Sequence, residues 1–246
     1  MSLNQILPFV SSFIMLVFTV SVLQRWVLRR KDHFLFWGIG LAMFAFGSFA
    51  EAYFAFGRWS MPVFFIWYLC GAVLNAAWIG HGTLLLLVRK PWARGVTIAL
   101  ILASMAATGL MIQAILRTDG AAYVSGVAIG EQYRNLMPAI GEGGLVRLTT
   151  PFFNIYGLLT LVGGALWSAW LFMRKQVLPH RVVGNVLIAA GALSVALAGT
   201  LTRLGVGTYL YLGELVAAGL MYAGFLTAAR PATQTEVEQA KSASAA

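Results

Sequence analysis

The sequence predicts an all-α polytopic membrane protein with seven transmembrane helices, and two observations predict it. Apolar windows recur at residues 6–24, 34–56, 62–88, 95–116, 150–173, 183–202 and 207–229. Each approaches or exceeds the ~20 residues that a helix rising ~1.5 Å per residue needs to cross a bilayer. Basic residues crowd onto alternate connections. Arg25, Arg29, Arg30, Lys31, Arg89, Lys90, Arg94, Arg174, Lys175, Arg181, Arg230 and Lys241 follow the first, third and fifth spans or lie in the tail. The other side holds only Arg58, Arg117, Arg134, Arg147 and Arg203, and twelve against five sets the N-terminus outside and the C-terminus in the cytoplasm.

One membrane domain, residues 1–230, takes nearly the whole chain. With 60% hydrophobic and 10% charged residues it is far more apolar than a soluble domain. A net charge of +9 would suggest nucleic acid in a soluble protein. Here the excess lies at span ends, where it orients the chain and meets anionic lipid. The expected partner is the lipid bilayer, and nucleic acid is excluded.

Taken in order, the first span has no Lys or Arg in its N-terminal flank but ends in Arg25-Trp26-Val27-Leu28-Arg29-Arg30-Lys31. That reads as a retained anchor rather than a cleaved signal. Spans 1–3 and 5–7 read as two copies of one unit. Pro8 and Pro151 open spans 1 and 5, Trp26 and Trp170 close them, and His33 and His180 precede spans 2 and 6. Tyr68-Leu69 and Ala76-Ala77 in span 3 recur as Tyr209-Leu210 and Ala217-Ala218 in span 7. With span 4 between them, both copies run in the same direction, a parallel 3+1+3 plan of the kind found in some transporters. In architecture the plan resembles opsins and small sugar transporters.

Residues 117–149 form the one long connection. They are glycine-rich yet hold Val127, Ile129, Leu136, Ile140 and Val146, which fits an ordered lid over the outer mouth better than a disordered linker. Residues 231–246, small and polar, read as a disordered cytoplasmic tail. Glycines along the spans read as helix-packing positions, and Trp26, Trp37, Trp59, Trp67, Trp92 and Trp170 as interfacial aromatics. Cys70, the single cysteine, allows no intramolecular disulfide.

Glu51 and Glu214 are the two carboxylates inside spans. A charge in hydrocarbon costs at least ~2.5 kcal/mol, so such residues face the bundle interior. Glu51 comes late in span 2 and Glu214 early in span 7, so both fall in the outer third, with Arg203 ending span 6 on the same side. Gln113, Asn154, Tyr156 and Tyr211 fall at similar depth. These seven are the candidate ligand-binding residues. The expectation is that Arg203 pairs with one glutamate while the other lines a cavity with Asn154 or a tyrosine; the bland counterpart is a purely structural ion pair. His81, between Gly80 and Gly82, reads as a hydrogen-bonded packing histidine rather than a haem or metal ligand.

No lysine lies inside a span, which excludes an opsin-like retinal Schiff base, and the only aspartates, Asp32 and Asp119, lie outside the spans. No Gly-x-Ser-x-Gly elbow or HExxH pair occurs. The chain is therefore expected to be no enzyme, with no catalytic residue, metal or cofactor.

The run Phe36-Trp37-Gly38 through Phe46-Gly47-Ser48-Phe49-Ala50-Glu51-Ala52, with Tyr68-Leu69-Cys70-Gly71, resembles uncharacterised bacterial seven-helix membrane proteins. It is loosely similar to the seven-helix sensory region that precedes some bacterial histidine kinases. Arg203-Leu204-Gly205 and Tyr211-Leu212-Gly213-Glu214-Leu215 resemble the first group as well. The resemblance implies a ligand-sensing or transport scaffold in a bacterial inner membrane. The leading reading is thus a protein that binds a small ligand or ion in the outer half of the bundle, for transport or sensing. The alternative is a structural or accessory subunit, partnered by other membrane-complex subunits or by copies of itself, without a site of its own.

Overall fold

The computed structural model describes residues 3–175, 178–204 and 209–231, and only the backbone of Leu3, Asn4 and Arg203. Nine α-helices are described: α1 (Leu3–Arg29), α2 (Asp32–Ala55), α3 (Met61–Ile66), α4 (Asn75–Leu87), α5 (Trp92–Ile115), α6 (Ile129–Leu136), α7 (Val146–Arg174), α8 (Pro179–Arg203) and α9 (Leu210–Ala228). Between α3 and α4, Trp67–Leu74 winds as a π-helix without breaking the rod, so Met61–Leu87 is one span. Seven helices are long and apolar enough to cross a membrane, and no strand occurs among the described residues. The chain is an all-helical, multi-pass membrane protein.

Helix ends follow local chemistry. Pro62 and Pro179 occupy the first turns of α3 and α8, where a missing N–H costs nothing. Gly57 turns the chain after α2 at φ 77°, a left-handed conformation that suits glycine. The outward faces need no polar groups. On α7, Phe152, Ile155, Leu159, Leu166 and Trp170 form an exposed stripe that hydrocarbon solvates and water would not.

Six spans close into a ring. α1 packs on α2, α2 on the third span, the third span on α7, α7 on α8, α8 on α9, and α9 back on α1. The fourth span, α5, stands outside, leaning on the third span and α7. Polar contacts fasten it: Trp78 Nε1 donates to Ser104 Oγ at 3.1 Å, and His81 Nε2 lies 2.8 Å from Thr97 Oγ1. Glycines set the closest crossings. A Cβ on Gly47 would lie 2.6 Å from Gly71 Cα, and one on Gly157 would lie 2.3 Å from the Ala76 carbonyl carbon.

The connection 117–149 is folded over one end of the ring, with α6 against α2 and α8. Its own Ile129, Leu136 and Met137 are buried. Gln132 ties it together, donating to Val124 O and Val127 O and accepting from Val124 N–H. Tyr123 fastens it to α2 by donating its hydroxyl to Phe54 O at 2.7 Å. Burial pushes the Tyr123 phenol above its usual range. The tail from residue 232 onward lies outside the described residues.

Candidate functional site

The site begins with one face of α2. Phe44, Gly47, Ser48 and Glu51 are spaced three, one and three residues apart, so they point the same way, into the ring. On α9, Glu214 sits four residues after Leu210, about one turn inside the helix. Because α9 starts at Leu210 rather than at 207, this is shallower than the two turns the sequence suggests. α2 and α9 both flank α1, and their glutamates reach across behind it.

Both carboxyl groups are buried, Glu51 at 3% exposure and Glu214 at 8%. They lie within hydrogen-bonding reach of each other. Trp67 Nε1 donates to Glu51 Oε1 at 3.0 Å, and Ser48 Oγ donates to Glu214 Oε2 at 3.3 Å. Glu51 Oε2 is buried, and no N–H or hydroxyl donor reaches it among the described residues. Ionised carboxylates only accept hydrogen bonds. A contact between the two is therefore attractive only when one of them carries a proton and donates it to the other.

A cavity of about 370 Å³ surrounds the pair. Its wall includes Tyr68, Asn75, Tyr133, Thr150 and Asn154 beside the glutamates, a polar lining inside an apolar bundle. The π-helical turn shapes this wall. Wider winding displaces carbonyls from their usual partners, and the N–H of Asn75 bonds Cys70 O, five residues back. Side-chain amides take up neighbouring carbonyls: Asn75 Nδ2 donates to Gly71 O at 2.9 Å and Asn154 Nδ2 to Ala72 O at 3.0 Å. The lid contributes Gly130 and Tyr133.

Of the seven sequence-predicted residues, Glu51, Glu214 and Asn154 line this cavity. Tyr211 is buried beside Leu210 and Ala198 but does not line it. Gln113 is exposed on α5, which the ring leaves outside, so no packing brings it to the interior. Tyr156 serves a different network: its hydroxyl lies 2.7 Å from His81 Nδ1. Thr97 donates its own proton to Ala93 O, so toward His81 it accepts from Nε2–H, and Nδ1 accepts from Tyr156. The side chain of Arg203, and with it the predicted pairing to a glutamate, lies outside the described residues. Sequence reading missed Ser48 and Trp67. Trp67 was expected at the interface, yet it is 5% exposed and donates to Glu51. The available signal for Ser48 was its position three residues before Glu51.

A second cavity opens at the opposite, basic end of the ring. Ile79, Leu161 and Met221 line both cavities, forming an apolar partition between them. Comparison with models of protein families, with curated proteins and with solved structures gives no match, so the functional reading rests on this geometry.

Proposed function

We propose that this protein binds a proton or small cation at the Glu51–Glu214 pair and moves it along the axis of the six-helix ring. The observation that carries the reading is the meeting of two buried carboxyl groups from α2 and α9 in one polar cavity. A proton or a cation between them relieves the repulsion of two like charges in a medium of low dielectric. A pair serving only to lock helices would be expected to match a carboxylate with a cation and to leave no cavity. Transport is favoured over sensing because the two cavities, one from each end, abut at three apolar side chains. That arrangement suits alternating access around a fixed site. The protein acts on this reading as a carrier, not as an enzyme.

Orientation and repeat belong to the same proposal. The positive-inside bias sets the carboxyl pair on the outer side of a bacterial inner membrane, under the 117–149 lid. The ring order supports a parallel repeat: spans 1, 2 and 3 lie across the ring from spans 5, 6 and 7 respectively. Pro8 and Pro151 each fall five residues after the first residue of α1 and α7. The Gly47–Gly71 crossing between spans 2 and 3 has a counterpart between spans 6 and 7, where Ser194 Oγ donates to Gly213 O.

Infrared difference spectroscopy on the purified protein tests the binding step. Raising the pH in the presence of sodium should remove one protonated-carboxyl band, which should shift in either Glu51→Gln or Glu214→Gln and be missing when both are substituted. A band unmoved by either single substitution, or present in the double variant, would show that the pair holds no shared proton.

A further inference from the structure

The basic end of the ring holds a cavity of about 760 Å³, separated from the carboxyl pair by Ile79, Leu161 and Met221. Its walls are largely apolar, yet Arg25, Arg29, Lys31, Arg181 and Arg230 line it together with His33, and no described carboxylate does. Asp32, adjacent in sequence, is exposed and takes no part in the lining. Charge bias explains basic residues at this end, but not the direction they face. Arg89, Lys90, Arg94, Arg174 and Lys175 belong to the same end and line no part of this cavity.

Two of the lining guanidinium groups rest on aromatic faces within it. Arg25 lies 4.5 Å from the centroid of Phe225 and Arg181 5.6 Å from that of Phe172. Arg181 Nε is buried without a hydrogen-bond partner among the described residues. Arg29, Lys31 and Arg230 are exposed at the mouth of the cavity, while Arg25 and Arg181 are half-buried within it. An anion among them would offset the repulsion that solvent screens least for the inner two. Guanidinium forks match phosphate oxygens in geometry as well as charge.

We infer that this cavity is a binding site for a phosphate-bearing anion. The phosphate has two sources, the headgroup of an anionic lipid whose chains lie along the apolar wall, or a soluble phosphate compound. Basic pockets between membrane helices take lipid headgroups by this chemistry. The site rests on none of the observations on the Glu51–Glu214 pair, although the carrier reading runs through the same cavity.

Thermal unfolding of the full chain in a neutral detergent tests it, with phosphatidylglycerol, phosphatidylcholine and inorganic phosphate as probes at fixed ionic strength. One variant carries Arg25→Gln, Arg29→Gln and Arg181→Gln. Its control carries Arg89→Gln, Lys90→Gln and Arg94→Gln, with the same net charge. An anionic probe should raise the unfolding midpoint of the native protein and of the control. Its apparent affinity should fall by about tenfold or more in the cavity variant, since one charge-assisted hydrogen bond is worth that much. Should the triple variant fail to fold, Arg181→Gln alone should weaken the response while the control does not. A response to phosphatidylglycerol but not to inorganic phosphate assigns the lipid; a response to inorganic phosphate assigns the soluble compound. Equal loss in both triple variants, or no response to either anion, overturns the site. Glu214→Gln should leave the response intact, which separates this result from the fate of the carboxyl pair.

Discussion

At the residue scale, the carboxyl groups and the histidine buried within the spans fall into two separate networks. Glu51, Glu214, Ser48 and Trp67 form one; His81, Tyr156 and Thr97 form the other. The division predicts different consequences for substitution. Tyr156→Phe removes the donor to His81 Nδ1 and leaves a buried acceptor unsatisfied, which costs about 1–3 kcal/mol. Chemical or thermal unfolding should register that loss while ion movement is retained. Loss of movement with unchanged stability would mean that Tyr156 belongs to the cavity after all. The glutamates and His81 were legible in the sequence because ionisable groups are rare in hydrocarbon. Trp67 was not, since a tryptophan near a span end reads equally well as an interfacial anchor or as a buried donor. Tyr156 was matched to the glutamates by depth alone, and depth does not say which way a helix face turns.

At the element scale, glycine and the π-helical turn decide where helices touch. The Gly47–Gly71 crossing lines the cavity and brings α2 against the third span with no room for a methyl group. Gly47→Val should therefore destabilise the protein by about 1–3 kcal/mol or more through overpacking. Gly219→Ala, where nothing lies within 4 Å of the added carbon, should fall within about 0.5 kcal/mol of neutral or stabilise slightly. Comparable unfolding curves for the two variants would contradict the crossing. The lid is held differently, by side chains bonded to backbone, and Gln132 makes three of those bonds. Gln132→Leu removes three hydrogen bonds to the backbone at Val124 and Val127. Faster amide exchange over 120–128, with the spans unchanged, is the expected result. The sequence indicated an ordered lid through its apolar residues, but nothing in it singled out Gln132 as the clasp.

At the scale of the whole molecule, the seven spans were legible to within a few residues because length and hydropathy alone determine them. The ring was not. In water, the polar face of a helix marks its outside; in lipid, both faces are apolar, and α5 looks like any other span until it is found outside the ring. Hence Gln113 was assigned to an interior it does not reach. Orientation is a separate matter of charge, and it has its own check. A reporter fused after Ala246 should be cytoplasmic and one inserted at Gly126 external; the reverse pattern would place the carboxyl pair on the cytoplasmic side. The central claim is that the pair carries ions through the ring, and flux measures it most directly. With the protein reconstituted in vesicles holding a pH-sensitive dye, an imposed pH or sodium gradient should change internal pH faster than in protein-free vesicles. Glu214→Gln, shown to be folded by its unfolding midpoint, should reduce that rate to the protein-free level. Equal rates for the native protein and folded Glu214→Gln, or no flux above the protein-free background, would contradict the account.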